Sequence, residues 1–346
     1  MKINIFRIIF VVLAGFVAWS CDKLGNSSVG EDVINLVVED YSVSTKAHII
    51  NNEDFKDESK GGGSFSLSAW NYDKSTPANA QQYIEHELVW YRAGDEGQVA
   101  NNRLWRFKRG DELVECYWPY NGVSDFLAYM PVHEKLDQVG ISNIGYSPET
   151  GISYTANLPL SNNGEGVTQE NLREFLYAVA EDETPQNSAS GVGLEFQHPL
   201  TAIYFKVAKS YRMTINTIEI SYLKNSGKFS NNTWTFNDSQ EMTLMTLQID
   251  KKIPEDINYG VVFYGPVLVL PQELDDIKLA VVGTRSEKND YKPASVSLKT
   301  DNHVKWEPGK AYTYSLNLGE QNVEVLFDVT VQNWDEVNYK HNIDIE

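Results

Sequence analysis

Few side chains in this sequence stand at spacings suited to covalent chemistry. The chain has two cysteines, Cys21 and Cys116, and a thiolate can attack, bind metal, pair or be acylated. Its six histidines, His48, His86, His133, His198, His303 and His341, are scattered, and none falls at a metal-ligand spacing. There is no Gly-x-Ser-x-Gly elbow and no phosphate-binding glycine loop; Gly191-Val192-Gly193 lacks the rest of a dinucleotide fingerprint. Asp275-Asp276 and Glu181-Asp182-Glu183 have the residue types of a glycosidase pair, yet 48 acidic residues produce such neighbours by chance. Glu53, Asp54, Asp57 and Glu58 lack the regular spacing of a calcium loop and read as a solvated loop. The residue types therefore predict no catalytic residue, no metal site, no cofactor and no enzyme. What remains is Cys21.

The residues before Cys21 decide its chemistry. Lys2 and Arg7 make a short basic start, Ile8 to Val17 is an apolar run, and Ala18-Trp19-Ser20-Cys21 follows. This is the layout of a secretory signal peptide, too short in its apolar part for a bilayer core of about 30 Å. A small residue directly before a cysteine at this point resembles the lipobox of bacterial lipoproteins. That resemblance implies cleavage after residue 20, with lipid (palmitate among the acyl chains) on Cys21. Several acyl chains, each methylene contributing about 0.8 kcal/mol, hold a protein firmly to a membrane. With Cys21 lipidated, no internal disulfide is expected. Cys116, in the apolar run Leu113–Tyr120, reads as a small buried hydrophobe.

The rest of the chain reads as strands. A net charge of −19 without a polybasic stretch excludes nucleic acid as a partner. Aromatic residues make up 12%, with 19 Tyr and 8 Trp, and Gly, Asn, Ser and Thr are abundant, a β-rich and turn-rich composition. Residues 21–32 are polar and read as a flexible tether. Val33–Val38 is apolar at nearly every position, as in a strand buried on both faces. Phe65, Leu67 and Ala69 alternate with serine and predict a half-buried strand. Glu112–Tyr120 and Val123–Met130, around Asn121-Gly122, predict a hairpin. Thr168–Asp182 fits either a helix capped by Thr168 or, over Phe175–Ala180, a strand. A polar stretch at Glu181–Gly193 marks a boundary, giving a domain over 33–195 and another over 196–346. In the second, Ile203, Phe205, Val207 and then Ile218, Ile220, Tyr222 alternate as antiparallel sandwiches do.

The order of several motifs is similar to that of the fimbrillin (Mfa-like) family. Tyr117-Trp118-Pro119 precedes Phe126-Leu127-Ala128-Tyr129-Met130-Pro131. Phe196-Gln197-His198-Pro199-Leu200-Thr201-Ala202-Ile203-Tyr204-Phe205 opens the second half. Val269-Leu270-Pro271-Gln272 comes next, and Trp306-Glu307-Pro308-Gly309-Lys310-Ala311-Tyr312-Thr313-Tyr314 and Val331-Gln332-Asn333-Trp334-Asp335 close the pattern. His198 itself reads as a packing and hydrogen-bonding residue at a strand start.

The resemblance implies an all-β fold of two tandem antiparallel β-sandwich domains of transthyretin-like Greek-key type. It also implies a subunit of a type V pilus, surface-exposed on the outer membrane, whose partners are other pilin subunits and the membrane itself. In that family a protease removes the first strand and a neighbour's strand fills the groove, which is β-augmentation. Here Lys46 and Ala47 would flank the cut, and Ile34, Leu36 and Val38 would lie on the displaced strand. The tail supplies a donor, residues 337–346, with Val337, Tyr339, Ile343 and Ile345 on one face. The alternative is a surface lipoprotein that binds glycans, on a host or bacterial surface, by stacking on Trp70, Trp90, Tyr91, Trp105 and Trp234.

Overall fold

The computed structural model describes residues 29–38, 63–92, 99–100, 104–160, 166–168, 173–210, 213–237, 244–253, 262–285, 289–291, 294–318, 323–325 and 330–333. Over these the chain is all-β, its strands gathered into five sheets with 3-10 segments at Pro77–Asn79 and His133–Val139. The eight-stranded sheet is built from strands that precede residue 195. Its order is Leu176–Glu183, Val123–Met130, Ser64–Tyr72, Gln81–Tyr91, Trp105–Arg109, Leu36–Val38 and Val192–Leu194, with Glu112–Val114 added beside Trp105–Arg109.

Ser64–Tyr72 lies near the middle of that sheet and is buried on both faces, not on one as the serine alternation predicts. Phe65, Leu67 and Ala69 face a core that also holds Ile34, Leu36, Trp105, Trp118 and Phe196. Ser66, Ser68 and Trp70 face the other way and are equally buried. The serines tolerate burial because they are bonded: the backbone N–H of His133 donates to Ser66 Oγ at 2.9 Å, and that of His86 to Ser68 Oγ at 3.0 Å.

After residue 200 the chain forms two five-stranded sheets. One runs Val262–Val269, Thr201–Ser210, Lys310–Leu318, Val323–Val325, with Thr330–Asn333 also on Lys310–Leu318. The other runs Leu244–Ile253, Met213–Ser221, Lys278–Arg285, Asn289–Tyr291, with Val296–Ser297 also on Lys278–Arg285. Their buried faces share one core, from Phe205 and Ile218 to Leu279 and Tyr314. Most ladders are antiparallel, as the alternation predicts. Thr201–Ser210 beside Lys310–Leu318 is parallel, as is Val192–Leu194 beside Leu36–Val38.

A four-stranded sheet draws on both halves: Thr233–Phe236, Ser226–Ser230, Gly151–Asn157 and Ile141–Ser147. Asp125 fastens it to the eight-stranded sheet. This carboxylate is 1% exposed. It accepts from Tyr72 Oη at 2.9 Å, Tyr146 Oη at 2.8 Å and the Asp182 N–H at 2.8 Å. Burial first, then the acidic neighbours, pushes both phenols well above their ordinary range, so they remain donors. Asp125→Ala removes all three acceptor contacts. At 1.5–3 kcal/mol for a bond to a charged group, offset by rebonding to Glu181 and Asp182, the expected loss is on the order of 3 kcal/mol. Urea unfolding of Asp125→Ala against wild type measures it, and a loss under about 0.5 kcal/mol would remove Asp125 from that role.

Two local expectations differ from the structure, and one left open between helix and strand is decided. Asn121-Gly122 does turn the chain, with Gly122 at φ 88° and no room for a Cβ, which would lie 2.4 Å from Tyr72 O. It does not close a hairpin, because Tyr117–Pro119 pairs with Val29–Val33 and Val123–Met130 pairs with Ser64–Tyr72. The local hairpin is instead Trp105–Arg109 with Glu112–Val114, turning at Gly110-Asp111. Over Leu176–Glu183 the chain is a strand, with Leu176, Ala178 and Ala180 on the buried face. Cys116 is 1% exposed, as expected, but it is disulfide-bonded, contrary to the expectation of no internal disulfide.

Candidate functional site

The first described segment, residues 29–38, lies in a seam. Val29–Val33 pairs antiparallel with Tyr117–Pro119, so the last residues of the stretch 21–32 are strand and not tether. The Ile34 N–H donates to Cys116 O at 2.8 Å, and the Val192 N–H to Asn35 O at 2.8 Å. Leu36 then pairs with Trp105 on one side, while Leu36, Val37 and Val38 run parallel to Val192, Gly193 and Leu194 on the other. The period-two alternation directs Ile34 and Leu36 inward, where they are 4% and 0% exposed; Val38 is half-buried.

This short strand fills a slot between its two neighbours. Its side chains close the core formed by Phe65, Trp105, Trp118, Val192, Leu194 and Phe196, with Phe65 and Trp105 rings at 5.1 Å. Leu36 has a single register partner on Trp105–Arg109. Sequence reasoning found Ile34, Leu36 and Val38 but missed both neighbours of the seam. Val192 and Leu194, each 0% exposed, fall in and beside the stretch read as a polar boundary. Cys21, Lys46, Ala47, Val337, Tyr339, Ile343 and Ile345 lie outside the described residues, as does the acidic loop at Glu53–Glu58.

The motifs after residue 195 are pins at strand ends. His198 Nδ1 bonds Glu174 Oε1, with the two side chains 2% and 0% exposed. Thr201 Oγ1 donates to Glu307 O at 2.8 Å, and the Gly309 N–H to Leu200 O at 3.0 Å. Trp306 Nε1 donates to Tyr314 Oη at 2.8 Å, and the Glu307 N–H to Tyr312 Oη at 3.1 Å. Burial holds the Tyr314 phenol protonated, well above its ordinary range. Gln272 accepts from the Lys224 N–H at 2.8 Å and returns Nε2 donors to Lys224 O and Leu270 O at 3.0 Å. These residues satisfy buried backbone groups. They do not converge on a ligand.

The aromatic residues considered for glycan stacking are largely committed to packing. Trp70, Tyr91 and Trp105 are buried. Trp90 is half-buried with the Lys108 ammonium 5.1 Å from its ring, and Trp234 is half-buried against Tyr154, Phe229 and Phe236. Among the described residues, no three His, Cys, Asp or Glu side chains gather as a metal site.

No curated protein matches this chain. Among solved structures, a fimbrial protein from Bacteroides vulgatus is similar at a TM-score of 0.55 and 15% identity, covering 87% of this chain and 99% of that one. A candidate cell adhesion protein from Bacteroides uniformis covers 87% and 98%, at a TM-score of 0.49 and 15% identity. At that identity the first likeness shows a shared fold. The model of the fimbrillin-like family matches residues 45–334, starting past the strand Leu36–Val38 and taking in the pinned motifs. With the greater part of its length so matched, the chain belongs to the fimbrillin-like family.

Proposed function

We propose that this protein is a structural or adhesive subunit of a type V pilus on the cell surface, exported as a lipoprotein through Cys21 and assembled by strand exchange. Cleavage between Lys46 and Ala47 releases the first strand, and the tail of another subunit, residues 337–346, enters the slot that strand leaves. Two tandem domains divide near residue 195. Supporting that division, the eight-stranded sheet draws only on residues before 195 and both five-stranded sheets only on residues after 200. The observation that carries the reading is the seam: Ile34 and Leu36 are packed in the core, on a short strand that lies between Trp105–Arg109 and Val192–Leu194. Its removal by proteolysis opens the edges of Trp105–Arg109 and Val192–Leu194, which it shields from premature pairing until then.

The deciding experiment is intact mass with N-terminal analysis of protein taken from its native cell surface. A chain beginning at Ala47, in ladders resistant to mild denaturation, is the expected result. Lipidated Cys21 as the sole mature end would overturn cleavage and leave an anchor subunit. The sulfur count provides a second readout, since Cys116 is disulfide-bonded in the structure and the chain has two cysteines in all. A lipid thioether on Cys21, or removal of residues 1–46, leaves Cys116 as one alkylatable thiol per unfolded chain. An intact disulfide within the mature chain would exclude both.

A further inference from the structure

On the face of the eight-stranded sheet opposite Phe65 and Leu67, two histidines meet at one phenol. His86 sits in Gln81–Tyr91 at φ 51°, in the left-handed region, where the register with Ser64–Tyr72 slips between Leu67 and Ala69. His133 opens the 3-10 segment His133–Val139. Tyr129 Oη lies 2.6 Å from His86 Nδ1 and 2.8 Å from His133 Nδ1, and Tyr129 is 0% exposed. The two imidazoles stack with centroids 3.9 Å apart and planes 11° from parallel. Ser68 Oγ stands 3.2 Å from His86 Nδ1, and Ser66 and Ser68 also accept the two histidine backbone N–H groups. The point on which both Nδ1 atoms converge is taken by the phenol oxygen, and among the described residues no third His, Cys, Asp or Glu gathers there as a metal site.

The proton count limits this arrangement. A phenol has one proton, so it can donate to one Nδ1 and accept from the other, which requires one ring to be neutral. Two imidazolium rings would both aim N–H at the phenol oxygen and would set like charges face to face. Burial, and next the charge of His133, holds His86 below its ordinary range against the opposing pull of Glu85 and Glu134. The side chains facing it from Ser64–Tyr72 and Val123–Met130 are Ser66, Ser68 and Tyr129, none charged at neutral pH. On its own strand Glu87 is paired with Arg109 at 2.9 Å, and Lys135 and Asp137 of the 3-10 segment are exposed.

We propose that His86, Tyr129 and His133 form an acid-sensitive clasp, which holds residues 133–147 on the sheet at neutral pH and releases them in mild acid. Leu136 and Val139 anchor that segment in the larger core, and it leads directly into Ile141–Ser147, an edge of the four-stranded sheet. Release therefore loosens an edge strand, whose unpaired backbone groups can recruit another strand. The sign follows from linkage. A histidine held below its unfolded value of about 6.5 contributes full stability above that pH, and the contribution is lost as pH falls through the folded value.

Hydrogen exchange with mass spectrometry on the full chain, at pH 7.5 and pH 5.0 and corrected for intrinsic rates, tests this. Protection of peptides covering 132–147 is expected to fall about tenfold more than that of peptides covering 124–130. His133→Phe keeps the stacked ring and should abolish the difference. His86→Asn, which tolerates positive φ, should do the same and decides the matter if the first variant fails to fold. Equal loss in both regions, or a variant that responds to acid like the wild type, would overturn the proposal.

Discussion

Glu174→Ala is expected to destabilise the protein by about 1–3 kcal/mol, because it removes the carboxylate oxygen that the buried His198 Nδ1 bonds. His198 Nδ1 bonds Glu174 Oε1, and neither side chain reaches solvent to any extent. The pair joins the approach to the outer strand Leu176–Glu183 to the approach to Thr201–Ser210, so it ties the eight-stranded sheet to a five-stranded one. Phe175 and Leu200, neighbouring these residues, are each 0% exposed, so water cannot easily replace the lost partner. Glu174→Gln keeps an acceptor and should lose markedly less. Urea unfolding of both variants at pH 7, compared at constant slope, separates these outcomes. A loss below about 1 kcal/mol for Glu174→Ala would mean that the pair contributes packing alone.

What the sequence made legible was local. Alternation at Ile218 and Ile220 identified a central strand because one face is buried in the expected period; Ile203, Phe205 and Val207 also lie on a central strand, whose other face, with Ala202 and Tyr204, is buried as well. The same logic misread Ser66 and Ser68, which look like a solvent face until His86 of the neighbouring strand and His133 of the 3-10 segment donate to them. Asn121-Gly122 announced a turn correctly, but turn chemistry does not name the partner; Tyr117–Pro119 pairs with Val29–Val33, far upstream. Val192–Leu194 is too short to show a period, and its burial depends on Leu36–Val38 lying beside it. Of the motifs that announced the family, those after residue 198 turned out to be pins such as Gln272 and Trp306, while Tyr117–Pro119 lies in the seam beside Val29–Val33, a pairing its residue types do not name. Of the residues expected to act in assembly, Ile34 and Leu36 are buried and Val38 is half-buried beside Val192–Leu194; the displacement of their strand, the cut and the donor are proposals.

A chain expressed without residues 1–46 is expected to be the least stable form of this protein and to recover on addition of a peptide carrying residues 334–346. Ile34 and Leu36 are 4% and 0% exposed. Fully burying such side chains contributes about 1.5–3 kcal/mol each, so their removal alone costs about 3–6 kcal/mol. The strand's bonds to Cys116 O and from Val192 N are lost with them. A typical domain has about 5–15 kcal/mol in total. The shortened chain thus loses a large share of its stability and exposes Phe65, Trp105, Val192 and Leu194 along the vacant slot. In the tail, Val337, Tyr339, Ile343 and Ile345 recur on one parity, the pattern needed to set alternate side chains into that slot while its backbone pairs with Trp105–Arg109 or Val192–Leu194. Thermal unfolding with and without the peptide reads the recovery, and a peptide with Ile343→Asp and Ile345→Asp should give none. A shortened chain as stable as the full one would show that the strand is an accessory. A shortened chain that is unstable yet indifferent to the peptide would keep the first strand structural and place the donor elsewhere. Because the loss on removal is a large share of a domain's stability, a processed subunit should persist best when its slot is refilled, which couples maturation to assembly.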